Sequence, residues 1–214
     1  MALPFAVLIS GRGSNMLALE RATRDNDIDG RIAIVISDRE DAAGLAAARD
    51  LGLATDVVRP APAEGREAYG RRLAAAVASS GAGLVVLAGF MRILDGGFVR
   101  AFEGRLLNIH PSLLPAYRGL HTHRRVLAAG DVAHGCTVHF VVEELDAGPA
   151  VIQGRLAVRP SEDEAALSAR VQRLEHIIYP RAVGWFADGR LECRGNRAWI
   201  DGRATDPEIV EEDS

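Results

Sequence analysis

The sequence predicts an α/β fold: a doubly wound, mostly parallel sheet of Rossmann-like type, with an antiparallel strand in its C-terminal half. Three observations carry that expectation. Short apolar or β-branched runs alternate with helical stretches as far as residue 108, the pattern of a parallel sheet wound with right-handed crossovers. The fifth run meets Asn108-Ile109-His110-Pro111, where proline cannot continue a hydrogen-bond ladder and must end the strand. Beyond it the period shortens to strict alternation, which marks a strand in an antiparallel pair.

Taken in order, residues 5–9 are a continuous apolar run closed by Ser10-Gly11 and read as a buried strand, followed by a helix over 15–24. Residues 32–36 form a second β-branched run ending at Ser37-Asp38, with a helix over 42–51, and 55–58 are a third, weaker strand. A helix over 64–79 leads to a fourth strand at 84–87, and a short helix over 98–102 precedes the strand that ends at Asn108. Residues 120–129 are helical and stop at Gly130-Asp131. In 135–142, Thr137, His139 and Val141 alternate with Val138, Phe140 and Val142. That strand pairs with 150–158 through the turn Asp146-Ala147-Gly148-Pro149. A long helix over 162–185 is expected to be interrupted at Pro180, because the residue before a proline is pushed away from helical geometry. Arg194-Gly195-Asn196-Arg197 reads as the turn of a hairpin, and 204–214 as a disordered tail with an acidic run, Glu211-Glu212-Asp213.

The chain has 214 residues, 48% of them hydrophobic, enough to bury one core, so a single domain over 1–203 is expected. Its two halves divide near residue 104, the first offering a phosphate-binding loop and the second the polar strand end. The net charge is −4 and no basic stripe is interleaved with aromatics, which speaks against a nucleic-acid surface. All 25 basic residues are arginine, so a Schiff-base lysine and a P-loop lysine are both ruled out. Cys136 and Cys193 form no paired motif, and the start MALPFAVLIS has no basic region ahead of its apolar run. A cytoplasmic chain with reduced thiols and no membrane segment follows.

The chemistry concentrates between Asn108 and Asp146. Residues 108 and 110 share one side of an extended strand, at its carboxyl end, where open α/β sheets bind ligands. A neutral amide and an imidazole aimed at one point suit a reaction that builds negative charge on a carbonyl oxygen. Asp146 would hold the imidazole and favour its cationic form. The loop Gly11-Arg12-Gly13-Ser14-Asn15 opens the first helix, and its amides suit one phosphate. The third glycine of a dinucleotide fingerprint is replaced by Met16, although Asp38 stands where a ribose-binding carboxylate would, so a nicotinamide site stays open. His121-Thr122-His123, with His134, Cys136 and His139 further on, has some metal spacing but no completed ligand set, and no metal is expected. Gln172 and Glu175 share a helix face, either solvated or turned to a ligand. Arg66 and Arg92 could receive carboxylates or serve only the surface.

Several of these stretches together resemble the folate-dependent formyltransferases, and within them the glycinamide ribonucleotide transformylase family. They are LISGRGSN near the start, LAGFMRIL at 87–94, LLNIHPSLLP at 106–115, GLHTHR at 119–124, ELDAGP at 144–149, VQRLEHIIYP at 171–180 and WFADGRL at 185–191. The resemblance covers nearly the whole chain and implies the formyltransferase fold. It also implies transfer of the formyl group of 10-formyltetrahydrofolate to the amine of glycinamide ribonucleotide in purine biosynthesis, by direct amine attack and without a metal. On that map Asn108, His110 and Asp146 are catalytic. Gly13, Ser14, Asn15, Gln172 and Glu175 hold the ribonucleotide. Arg66, Met91, Arg92, Ile93, Leu94, Asn108, Val142, Glu143, Glu144, Leu145 and Asp146 border the folate, which places its site mainly in 105–203. The partners implied are small molecules, with the chain a monomer or homodimer. Arg12, Ala116 and Arg118 depart from the family's usual residues without touching the catalytic set. Formyltetrahydrofolate hydrolase is the competing enzyme reading, although it usually carries an added N-terminal regulatory domain. A methionyl-tRNA formyltransferase would need an RNA-binding domain after the last helix. A non-catalytic binding module would have no need of a titratable pair.

Overall fold

The structure is a computed structural model and describes residues 2–212. Its first half follows the alternation in the sequence: β1 (Leu3–Ile9), α1 (Ser14–Arg24), β2 (Gly30–Ser37), α2 (Ala43–Asp50), β3 (Thr55–Val57), α3 (Arg66–Ser79), β4 (Leu84–Leu87), α4 (Gly96–Ala101) and β5 (Leu106–His110). The second half contains α5 (Thr122–Ala129), β6 (Ala133–Phe140), β7 (Ala150–Ala157), α6 (Glu164–Ala187), β8 (Leu191–Arg194), β9 (Arg197–Ile200), β10 (Arg203–Ala204) and β11 (Glu208–Glu211). Eight strands form one sheet in the order β11-β7-β6-β5-β4-β1-β2-β3, and β8 to β10 form a small separate one. Within the large sheet β6 alone runs against its neighbours β5 and β7, so the expected architecture is what the chain adopts.

Continuous apolar runs become central strands because both of their faces are covered. Val7, Ile9, Val86, Leu107 and Ile109 pack with α1, α2 and α6 on one face, while Ala6, Leu8, Val85, Leu87 and Leu106 meet α3 and α4 on the other. In β5 this parity turns Asn108 and His110 toward the α3–α4 side, at the strand's carboxyl end. There they are covered by loops, so polar groups at these two positions leave the core unbroken.

Two expectations are corrected. The last helix is continuous for 24 residues with Pro180 inside it. Proline forfeits one intrahelical hydrogen bond, but the preceding Tyr179 is wholly buried and its hydroxyl donates to Leu87 O at 3.0 Å and Leu107 O at 3.1 Å. That anchor spans β4 and β5 and overrides the local preference. The disordered tail is also wrong over most of its length. Glu208–Glu211 adds β11 to the free edge of β7 in parallel register, and Glu212 reaches the buried Arg170. Residues 213 and 214, part of the same expectation, lie outside the described residues. No helix among the described residues is long and apolar enough to cross a membrane.

Candidate active site

Strand order reverses between β1 and β4, which makes the crevice beyond their carboxyl ends the place where such sheets receive ligands. The loop after β1 enters α1 through Gly13, whose φ of 74° is left-handed. A Cβ there would stand 2.8 Å from the Gly44 Cα, so only glycine allows both the backbone turn and the close approach of α2. No side chain among the described residues caps α1, and its first amides remain available to an anion.

α6 supplies the far wall of this loop. Gln172 Nε2 donates to Ser14 Oγ at 3.0 Å, and Asn15 Nδ2 donates to Glu175 Oε2 at 2.8 Å. Gln172 and Glu175 therefore face α1, which removes the solvated-face alternative. Glu175 is 9% exposed, and burial pushes its carboxyl above the ordinary range against the opposing bond from Asn15. Asn15 Oδ1 is buried beside it without a partner among the described residues, an acceptor still free to receive a donor.

β5 and the turn after β6 bring the expected trio together. His110 is 6% exposed, and its Nε2 lies 3.0 Å from the carbonyl of Tyr117. A carbonyl only accepts, so Nε2 carries the proton and donates. Its Nδ1 faces Asp146 Oδ2 at 3.5 Å, an ion-pair distance. Asp146 sits at φ 50°, and the same Oδ2 accepts the Gly119 amide at 2.9 Å. Antiparallel register sets Asn108 opposite His139, and Asn108 Nδ2 lies 3.0 Å from His139 Nε2. His139 Nε2 is also 3.8 Å from Asp146 Oδ1. An amide and two imidazoles on β5 and β6 thus meet a carboxylate from the turn after β6.

The residues expected to border a folate are more scattered. Met91 (68% exposed), Ile93 (58%) and Leu145 (51%) present apolar side chains on the loops after β4 and β6, and exposed apolar groups gathered on loops suit a planar ligand. Leu94 is half-buried against the α3–α4 core and Val142 half-buried in the turn. Glu143 pairs with Arg100, and Glu144 with Arg118 at 2.6 Å. Arg92 Nε donates to Asp38 Oδ2 at 2.7 Å, while Asp38 Oδ1 is buried with no partner among the described residues. Arg66 opens α3 exposed and makes no side-chain hydrogen bond or ion pair among the described residues.

Sequence reasoning weighed His139 only as a metal ligand and gave Tyr117 no role. The alternation of Thr137 and His139 across from Asn108 and His110 carried the signal for the first, but only with the strand register in hand. His121 is the exposed, left-handed residue ahead of α5, and His123 Nδ1 lies 3.0 Å from His134 Nε2. Burial lowers both of that pair, His134 to about 4. No group of three His, Cys, Asp or Glu side chains placed to hold a metal occurs among the described residues.

Comparison with known proteins identifies the family and the fold. The profile of the formyl transferase family matches residues 3–183. The chain is 50% identical over 202 residues to a phosphoribosylglycinamide formyltransferase of Escherichia coli K12, covering 94% of this chain and 95% of that protein. The solved phosphoribosylglycinamide formyltransferase of Coxiella burnetii superposes with a TM-score of 0.92 at 41% identity, covering 98% of this chain and 99% of that one. A formyltetrahydrofolate deformylase of Pseudomonas syringae shares the fold, with a TM-score of 0.86 but 23% identity, over 94% of this chain and 66% of its own.

Proposed function

We propose that this chain, which belongs to the formyl transferase family, transfers the formyl group of 10-formyltetrahydrofolate to the primary amine of glycinamide ribonucleotide, a step of purine biosynthesis. The observation that carries the reading is the convergence of Asn108, His110 and Asp146 in a chain 50% identical to the E. coli protein over 94% of its length. The products are the N-formyl ribonucleotide and tetrahydrofolate.

The ribonucleotide phosphate lies on the amides of Gly13, Ser14 and Asn15, and Gln172 and Glu175 contact the same substrate from α6. The folate enters between the loops that carry Met91 to Leu94 and Val142 to Asp146, with Arg66 and Arg92 available to its carboxylates. The amine nitrogen then attacks the formyl carbon. As that bond forms, the carbonyl electrons move to oxygen, and two donors meet the developing charge: the free amide N–H of Asn108 and the Nε2–H of His110. The Tyr117 carbonyl holds the His110 proton in the unliganded site, and substrate oxygen replaces it. Asp146 stands opposite Nδ1 and stabilises the positive imidazolium that helps neutralise the oxyanion. The intermediate collapses by breaking the bond between the formyl carbon and folate N10. One proton from the amine ends on N10, through His110 or a water held by Asp146. No bond to the protein forms on this route.

The test is turnover of 10-formyltetrahydrofolate with and without glycinamide ribonucleotide. Tetrahydrofolate released only when the amine is present is the expected result. Release at the same rate without it would replace the reading with the hydrolase, and no release at all with a binding module.

A further inference from the structure

We infer that His139 is a positioning residue: its unprotonated Nε2 accepts from Asn108 and fixes that amide with its second N–H turned to the reacting oxygen. The inference rests on the transferase reading for the identity of that oxygen, but the hydrogen-bond argument is independent of it.

The ring has two partners, and each constrains the other. His139 Nδ1 lies 2.9 Å from the carbonyl of Phe140, which can only accept, so Nδ1 carries a proton. In the neutral ring Nε2 then offers a lone pair, and it stands 3.0 Å from Asn108 Nδ2. An amide nitrogen has two hydrogens. One is spent on His139, and the other remains for a ligand. Were Nε2 protonated, it would be a donor, and Asn108 would have to turn its carbonyl toward it. An oxygen lone pair would then stand where the second N–H stood, and would repel a developing oxyanion.

The surroundings hold the ring in the useful state. His139 is 2% exposed, and burial lowers its pKa to about 4. The charged and titratable groups that face it are Asp146, with Oδ1 at 3.8 Å, and His110 on the adjacent strand. Burial disfavours a second proton on the ring and His110 adds to it, and together they outweigh the Phe140 carbonyl and the Asp146 carboxylate, which favour the cation. Strand register keeps the pair aligned, because His139 sits directly across from Asn108. His139 touches neither the reacting atoms nor the ribonucleotide loop on this account. It acts through the amide.

Two measurements test the assignment. Imidazole 15N chemical shifts of the full chain at neutral pH, without substrate, should show the His139 Nε2 unprotonated. A proton there overturns the inference whatever the enzyme's activity, whereas a wild-type chain that transfers no formyl group would sink the functional reading. Kinetically, His139→Ala should lower kcat by ~10- to 100-fold while KM for each substrate stays within about threefold. The same change made in an Asn108→Ala background should cost less than about twofold, since the amide it positions is gone. His139→Gln, which can offer a carbonyl oxygen in place of Nε2, should recover most of the lost rate. Equal losses in both backgrounds, or a rise in KM with kcat intact, would overturn the inference. Should His139→Ala not fold, the 15N shifts and the Gln variant decide the question.

Discussion

Replacing Glu212 with alanine should unlatch the C-terminal strand from the helix that faces the loop after β1. Arg170 lies on α6, with its side chain only 6% exposed, and two carboxylates share its guanidinium. Glu162 accepts from Nη1 at 2.9 Å through both oxygens, and Glu212 accepts from Nε at 3.1 Å and from Nη2. Deleting Glu212 strands half of a buried cation while Glu162 keeps the other half. Breaking a buried pair outright costs about 3–5 kcal/mol, and the surviving partner places this loss nearer 2–3 kcal/mol. In a chain of this size that lowers the thermal midpoint by about 4–12 °C. The pH dependence has a definite sign. Arg170 holds the Glu212 carboxyl below its ordinary 4.5, so its stabilisation is fully present above that value and fades as pH falls through the lower folded-state value. Circular dichroism melts of wild type and Glu212→Ala at neutral pH, and again well below pH ~4, read both effects. A midpoint shift under about 2 °C at neutral pH, or a gap that widens on acidification, would refute the reasoning.

Other outcomes follow from the same contacts. Glu175→Gln removes the charge that Asn15 binds and should raise KM for the ribonucleotide by ~10-fold, with kcat within about threefold, in initial-rate assays. Because burial raises the Glu175 carboxyl pKa, ionising it costs stability as pH rises from the unfolded value through the folded one. The Gln variant should therefore gain on wild type in melts at alkaline pH, and a constant difference across pH would contradict this. Gly13→Ala meets both a left-handed φ and the Gly44 backbone at 2.8 Å; it should destabilise by about 2–3 kcal/mol and weaken ribonucleotide binding, both readable by denaturation with and without ligand.

The parallel core was legible because each central strand is a continuous apolar run, and a run buried on both faces needs no partner information to be recognised. The ends of β5 and the loop after β1 were legible for a related reason: Pro111 and Gly13 each fix the backbone locally. What escaped depends on contacts far along the chain. Nothing near Glu208 to Glu212 reveals that Arg170 waits beneath them, so an acidic C-terminal stretch read as solvated. Pro180 argues locally for a break, and only the Tyr179 hydroxyl on β4 and β5 explains its absence. His139 looked like one more histidine of a scattered set until cross-strand register put it against Asn108. Asp38 suggested a ribose ligand, and nothing near it in sequence reveals that Arg92, on the loop after β4, bonds one of its oxygens.

The central claim is that a carboxylate beside an imidazole drives formyl transfer, and Asp146→Asn tests it most directly. Asparagine tolerates the left-handed backbone at this position and can still accept the Gly119 amide, so the substitution removes little besides charge. At the observed 3.5 Å from Nδ1, with an effective dielectric of about 20, that charge stabilises an imidazolium by about 4–5 kcal/mol before solvent and neighbours reduce it. Steady-state kcat should fall by at least ~100-fold with ribonucleotide KM nearly unchanged. A variant that retains kcat within about fivefold of wild type would contradict the account.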